Sequence, residues 1–252
     1  MTPAPAAGRD RAKRALDVGV AAVALVLSAP VQLGLAVLVA CSLGRPVLFR
    51  QVRPGRYERP FELVKFRTMR RPDQAGGSPD DAARLTRVGR LLRATSLDEL
   101  PTLWNVLRGD MSLVGPRPLL MDYLERYDPE QRRRHQVRPG VTGLAQVRGR
   151  NALTWDAKLA ADVEYVDRRC LALDLRLLAA TVLTVLRRRG VSADGHPTMP
   201  EFRGSAEGGR HRADGHPRLP EFRGSAEGGR HRLNGHPSLP EFRGSADAGR
   251  HR

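Results

Sequence analysis

From Val18 to Gly44 the chain carries no charged residue, and Ser28-Ala29-Pro30 interrupts the run near its middle. A run of about 27 residues is about 40 Å long as a helix, more than the ~30 Å of a bilayer's hydrocarbon core. Length alone therefore predicts a membrane helix. Pro30, however, has no N–H for the carbonyl of Val26 and its ring pushes the helix apart there, while Ser28 can bond back to the backbone and add to the bend. Both flanks are basic, with Arg9, Arg11, Lys13 and Arg14 before the run and Arg45, Arg50, Arg53 and Arg56 after it. A spanning helix carries its Lys and Arg excess on the cytoplasmic side. Charge on both sides thus favours a re-entrant broken helix whose ends share one membrane face, with Ser28 and Pro30 at the kink. A kinked spanning helix is the alternative, because proline is tolerated in such helices. The pattern also imitates a secretory signal, but the run is too long and Ala40-Cys41-Ser42 is a weak processing site.

The rest of the chain has to supply a folded body. At 252 residues and 40% hydrophobic content there is material for one domain with appendages, and aromatics at 5% leave the core to Leu, Val and Ala. The net charge of +16, from 43 basic and 27 acidic residues, calls for an anionic partner: nucleic acid, anionic lipid or a phosphorylated substrate. A nucleic-acid binder needs a basic reading helix or aromatics interleaved with arginines, and aromatics are scarce, so no nucleic-acid partner is expected. Two cysteines, Cys41 and Cys170, give neither a disulfide framework nor zinc spacing, which suits a reducing, cytosol-facing site.

Four segments follow. Residues 1–12 read as disordered and residues 13–44 as the membrane hairpin. Residues 45–190 read as the folded domain and 191–252 as a tail. Between Arg45 and Met69, Pro54-Gly55 signals a turn and Phe61 to Arg67 alternates like a half-buried strand. Arg71 to Pro79 reads as a loop. Leu85, Val88, Leu91 and Leu92 recur at helical spacing, and another helix covers Leu103 to Leu107. Leu119 to Arg134 and Leu173 to Arg189 read as amphipathic helices, suited either to the lipid interface or to packing on the core. The tail holds three near copies of a 20-residue unit starting at Ala193, Ala213 and Leu233, each containing Gly-His-Pro, Pro-Glu-Phe-Arg-Gly-Ser-Ala and Gly-Arg-His-Arg. One Phe and one Met or Leu per unit bury too little to offset ordering, so disorder is expected. Six of the seven histidines recur in it, as a loose metal site or, more simply, in an inert spacer; recruitment of partners to a non-catalytic scaffold is the other reading of the repeats.

The chemistry concentrates between Arg93 and Pro118. Ser96-Leu97-Asp98-Glu99 fits a capping box at a helix start, with Asp98 favouring the positive end of the dipole. An aspartate held there stays ionised, the form needed to ligate Mg²⁺ or to attack phosphorus. Arg93, Arg108 and Arg117 supply cationic clamps for phosphate oxygens, and Gly109 and Gly115 allow close backbone approach. Pro116-Arg117-Pro118 fixes an arginine between two residues of set φ, with a cis bond in prospect. Arg138-Pro139-Gly140 through Gln146 to Arg150 repeats the glycine-plus-arginine pattern.

These pieces occur in a familiar order. From about Lys13 to Gly190 the chain resembles the bacterial sugar transferase family, the monotopic polyprenyl-phosphate phosphoglycosyl transferases. The match rests on Lys13-Arg14 and Asp17 before the broken helix, on Val47 to Gly55, on Lys65-Phe66-Arg67-Thr68-Met69, on the Asp98-Glu99 stretch through Pro118, and on Arg134-His135 through Arg150-Asn151. The resemblance implies an α+β, mainly helical monotopic membrane protein with a re-entrant broken helix, a small sheet and interfacial amphipathic helices. It would sit in the bacterial plasma membrane with its catalytic domain on the cytoplasmic face. It implies that Asp98 attacks the sugar-linked phosphate of a nucleoside diphosphate sugar, with a UDP-sugar as the expected donor, and that polyprenyl (undecaprenyl) phosphate then takes the phosphosugar, beginning exopolysaccharide or glycoconjugate synthesis. Glu99 would hold Mg²⁺. Arg93 and Arg117, with Pro116 and Pro118, would contact phosphate or nucleotide, and Lys65, Arg67 and Gln146 are further substrate-binding candidates. The family breaks the helix at a serine-proline pair, whereas here Ala29 separates Ser28 from Pro30.

Overall fold

The computed structural model of the protein describes residues 6–71, 84–149 and 152–186, together with Phe202 and Gly204. All lie in one compact unit, Met1–Arg218. Apart from Arg71, Phe202 and Gly204, the expected loop at 71–79 and the tail lie outside the described residues.

Helix α1 runs from Ala6 to Leu43, beginning inside the stretch expected to be disordered and continuing as one element through Pro30. The Ser28 hydroxyl donates to the carbonyl of Ala24 at 2.5 Å and accepts from the Gln32 amide at 2.9 Å, so the intervening Ala29 does not prevent a hydroxyl bond beside the proline. At 38 residues the helix is about 57 Å long. Both of its ends are tied down. Near the start, Arg14 donates to the carbonyls of Val106 and Leu107, Lys13 bonds Asp174 at 2.8 Å, and Asp17 accepts from the Leu113 amide at 3.1 Å. Near the end, Val39 and Leu43 are buried with Phe66 and Leu92. Between these anchors Val26 and Leu27 are each 73% exposed and Leu33 is 70% exposed.

Strands β1 (Leu48–Pro54) and β2 (Pro60–Phe66) form an antiparallel hairpin that includes the strand expected from Phe61, in register from Leu48 opposite Phe66 to Pro54 opposite Pro60. Helix α2 (Arg87–Thr95) is capped by Thr86, whose side chain accepts from the Gly89 amide, and it buries Leu92. Helix α3 (Thr102–Arg108) ends at Gly109, whose φ of +93° suits a residue without Cβ. A short parallel pair, β3 (Ser112–Val114) with β4 (Gly140–Thr142), is the second strand pair among the described residues.

The amphipathic helix expected over Leu119–Arg134 is not present. A 3₁₀ stretch covers Met121–Arg126, helix α4 covers only Pro129–Arg132, and a second 3₁₀ turn covers Arg133–Gln136. The cause is Asp128-Pro129: proline forces the preceding residue out of the helical region, and Asp128, at ψ 168°, starts a new helix through a capping box with Gln131. This segment is not an interfacial helix either, since Tyr123, Leu124, Arg134 and His135 are buried. Helices α5 (Leu144–Arg148), α6 (Trp155–Arg168) and α7 (Leu171–Leu186) follow. The last begins two residues before its expected start, and α6 has no counterpart in the sequence reading. The main core joins Leu63, Val106, Met111, Val114, Tyr165 and Leu177 with Ala21 of α1.

Candidate active site

The acid pair lies in a sharp turn between α2 and α3. Ser96 adopts a left-handed conformation (φ +57°) that ends α2, and Leu97–Glu99 form a single 3₁₀ turn. The expected capping box does not form: the Ser96 side chain makes no capping bond, and the Glu99 amide donates to the Ser96 backbone carbonyl at 3.2 Å. Asp98 is thereby turned inward and is only 4% exposed. Glu99 accepts from Arg117 Nη2 at 2.5 Å.

Three elements surround the pair with positive charge. Lys65 comes from β2, Arg93 from the last turn of α2, where its Nε donates to Thr68 Oγ1 at 3.0 Å, and Arg117 from the segment after β3. Burial pushes the Asp98 carboxyl above the usual carboxylate range and the Glu99 charge pushes it further, while Lys65, Arg117 and Arg93 oppose both. Burial also lowers Lys65, against the attraction of Asp98 and Glu99. The Glu99 carboxylate holds Arg117 more firmly protonated. Ionisation of Asp98 therefore depends on three neighbouring cations and not on a helix dipole.

Arg117 is fixed through its backbone. Its carbonyl accepts from Arg134 Nη2 at 2.7 Å, and Arg134 forms a buried ion pair with Asp162 at 2.7 Å while also donating to the Tyr127 hydroxyl at 3.2 Å. Among the described residues only Arg45-Pro46 is cis, so the bonds before Pro116 and Pro118 are trans. Beside them His135 is held neutral, its pKa lowered to about 3 by burial and then by Arg134. Asp162, which completes this support, was missed by the sequence reading. A signal existed, because Leu159, Asp162, Val163 and Val166 share one helical face, and an acid on a buried apolar stripe demands a partner.

Other candidates have structural partners. Arg67 is 6% exposed and donates to the carbonyls of Leu43 and Gly44 at the end of α1. Gly109 ends α3, and Arg138 donates to its carbonyl at 2.9 Å. A Cβ on Gly115 would fall 2.4 Å from the Arg138 carbonyl oxygen, so this glycine serves backbone packing beside β4. Arg108 lies 3.5 Å from Asp110. Gln146 sits on α5, which packs against α6 and α7, and both polar atoms of its carboxamide are buried without a hydrogen-bond partner. Such a group is one a ligand could satisfy.

Asp98 and Glu99 offer adjacent hard oxygen donors. Among the described residues no group of three or more Asp, Glu, His or Cys side chains gathers to hold a metal, so these carboxylates are the candidate for Mg²⁺, which can be held by one or two carboxylates with phosphate oxygens and water completing its shell.

The family model for bacterial sugar transferases matches residues 8–188. An uncharacterised sugar transferase, EpsL, from Bacillus subtilis is 48% identical over 196 residues, covering 77% of this chain and 97% of that protein. The UDP-glucose:undecaprenyl-phosphate glucose-1-phosphate transferase of Caulobacter vibrioides is 46% identical, covering 73% of each chain. The exopolysaccharide production protein ExoY of Rhizobium meliloti is 39% identical over 71% of this chain and 87% of its own.

Proposed function

This chain belongs to the bacterial sugar transferase family, and on that premise we propose that it transfers a sugar 1-phosphate from a nucleoside diphosphate sugar to polyprenyl phosphate through a phosphosugar carried on Asp98. It is a polyprenyl-phosphate sugar-1-phosphate transferase, the activity in the name of its Caulobacter relative. The observation that carries the mechanism is a carboxylate sunk to 4% exposure beside Glu99, with Lys65, Arg93 and Arg117 as its cationic neighbours.

In the first step an Asp98 oxygen attacks the sugar-bearing phosphorus. The bond to the bridging oxygen breaks, and nucleoside monophosphate leaves with that electron pair. In the second step an oxygen of polyprenyl phosphate attacks the same phosphorus, the bond to Asp98 breaks, and the carboxylate is regenerated. Charge on phosphoryl oxygens calls for guanidinium and ammonium groups more than for a general base. Arg117, Arg93 and Lys65 fill that role, with Pro116 and Pro118 restricting the Arg117 backbone. Glu99 would hold Mg²⁺, which would supply further neutralisation of phosphate charge.

A soluble sugar nucleotide and a lipid phosphate meet only at the membrane surface. Helix α1 contains a segment of mean hydropathy 2.3 that is only 6% buried. Both of its ends pack into the same unit while its middle is exposed, which favours a re-entrant helix with both ends on one membrane face over a span, the face being the cytoplasmic one that a soluble sugar nucleotide reaches. Leu171, Leu175, Val182 and Leu183 form an exposed apolar stripe on α7, suited to the lipid interface. A UDP-sugar donor and the initiation of exopolysaccharide synthesis complete the reading.

The test uses purified protein in nanodiscs with Mg²⁺, polyprenyl phosphate and a panel of nucleotide sugars, scoring nucleoside monophosphate release. Asp98→Asn is expected to abolish release and Glu99→Gln to depress it severely. If both variants turn over like the parent, the assignment is wrong.

A further inference from the structure

The chain is poor in aromatics, yet four of them gather in one place. The Phe202 ring lies 5.6 Å from Tyr123, 5.6 Å from Tyr127 and 5.3 Å from Trp155, and Phe202 is 2% exposed. Leu124 and Leu159 complete the pocket. The backbone is read as well: the Phe202 amide donates to the Tyr123 hydroxyl at 3.2 Å, and its carbonyl accepts from Arg126. Two residues on, Gly204 has a φ of +95°, which disfavours any side chain, and it lies over the Arg126 backbone.

Phe202 and Gly204 belong to the first tail repeat. Both fall in Pro-Glu-Phe-Arg-Gly-Ser-Ala, the seven-residue block that recurs without change at 220–226 and 240–246, while nearby positions such as Thr198, Arg218 and Ser238 vary. Half of the chain's six phenylalanines hold the same place in this block. We propose that the Tyr123–Tyr127–Trp155 pocket is a receptor for this repeated sequence, and that the three copies are interchangeable ligands for it. An identical sequence has the same intrinsic fit, and only the tether differs. Moving the ligand from 202 to 222 lengthens the tether from Leu186 by 20 residues, which lowers its effective concentration by only about threefold. The receptor also adjoins the support of the acid pair, since Tyr127 touches both Phe202 and Arg134.

Trp155 reports occupancy once Trp104 is changed to Phe. In that full-length background, Phe202→Ala is expected to leave Trp155 emission close to the parent's, because another copy takes the seat. Changing Phe202, Phe222 and Phe242 all to Ala is expected to shift the emission to the red. A synthetic peptide with the sequence of residues 219–228 is expected to reverse that shift, and its Phe→Ala form to bind at least tenfold more weakly. A chain carrying Phe202→Ala and Phe242→Ala with benzoylphenylalanine at position 222 leaves one copy to take the seat, and is expected to crosslink under light to a peptide containing Tyr123 or Trp155. A full red shift from Phe202→Ala alone, or absence of that crosslink, overturns the proposal.

Discussion

Asp162→Asn tests the buried support of the active site. Arg134 and Asp162 have side chains 1% and 2% exposed, with two hydrogen bonds between them at 2.7 and 3.1 Å. Removing the carboxylate charge leaves a guanidinium buried without its counterion, which destabilises by about 3–5 kcal/mol. Arg134 keeps the Tyr127 hydroxyl, the Arg117 carbonyl and the Tyr127 ring 5.6 Å away, so the lower end, about 3 kcal/mol, is expected. For a body of this size that lowers the unfolding midpoint by roughly 6–12 °C. Turnover is expected to fall too, because the anchor on the Arg117 backbone loosens. The assay is thermal unfolding in detergent, with Asp167→Asn as the control, since Asp167 pairs with Arg133 on the exposed side of the same helix. Equal effects from the two changes, or an unchanged midpoint for Asp162→Asn, would refute the reasoning.

Three further outcomes follow from the geometry. Asp98→Asn is expected to raise the unfolding midpoint at neutral pH while abolishing turnover, because it removes a buried charge; a lower midpoint in scanning fluorimetry would count against the environment described. The folded pKa of Asp98 lies above its ordinary 3.8, so as pH rises from 3.8 through that raised value the parent loses stability while its active anion accumulates. The stability difference between parent and Asp98→Asn is therefore expected to widen over the window in which parent activity rises, and unfolding and rate profiles on one pH series check both. Gly115→Ala is expected to destabilise by about 1–3 kcal/mol through its clash with the Arg138 carbonyl, read from denaturant midpoints.

Local signals in the sequence located the turn and strand after Pro54, α2, α3 and the apolar helix, because Pro54-Gly55 and regular apolar spacing act within a few residues. The acid pair was legible by composition, but its setting was not. Ser96 in a left-handed conformation overrides the capping box that Ser96 and Glu99 spell, and nothing local signals that choice. The Leu119–Arg134 helix failed where Asp128-Pro129 carried a signal that the apolar spacing concealed. Arginines such as Arg14, Arg67 and Arg134 have chain carbonyls and a distant carboxylate as partners, and pairings across tens of residues leave no trace in spacing. Burial of Phe202 was equally out of reach, since its pocket is assembled from two remote segments.

Covalent capture addresses the central claim most directly. Protein incubated with Mg²⁺ and its nucleotide sugar, without polyprenyl phosphate, is expected to release about one nucleoside monophosphate per chain and to gain the mass of one phosphosugar on the peptide containing Asp98. Polyprenyl phosphate added afterwards is expected to remove that mass. Steady turnover with no adduct on that peptide, or an adduct on a different residue, would contradict it.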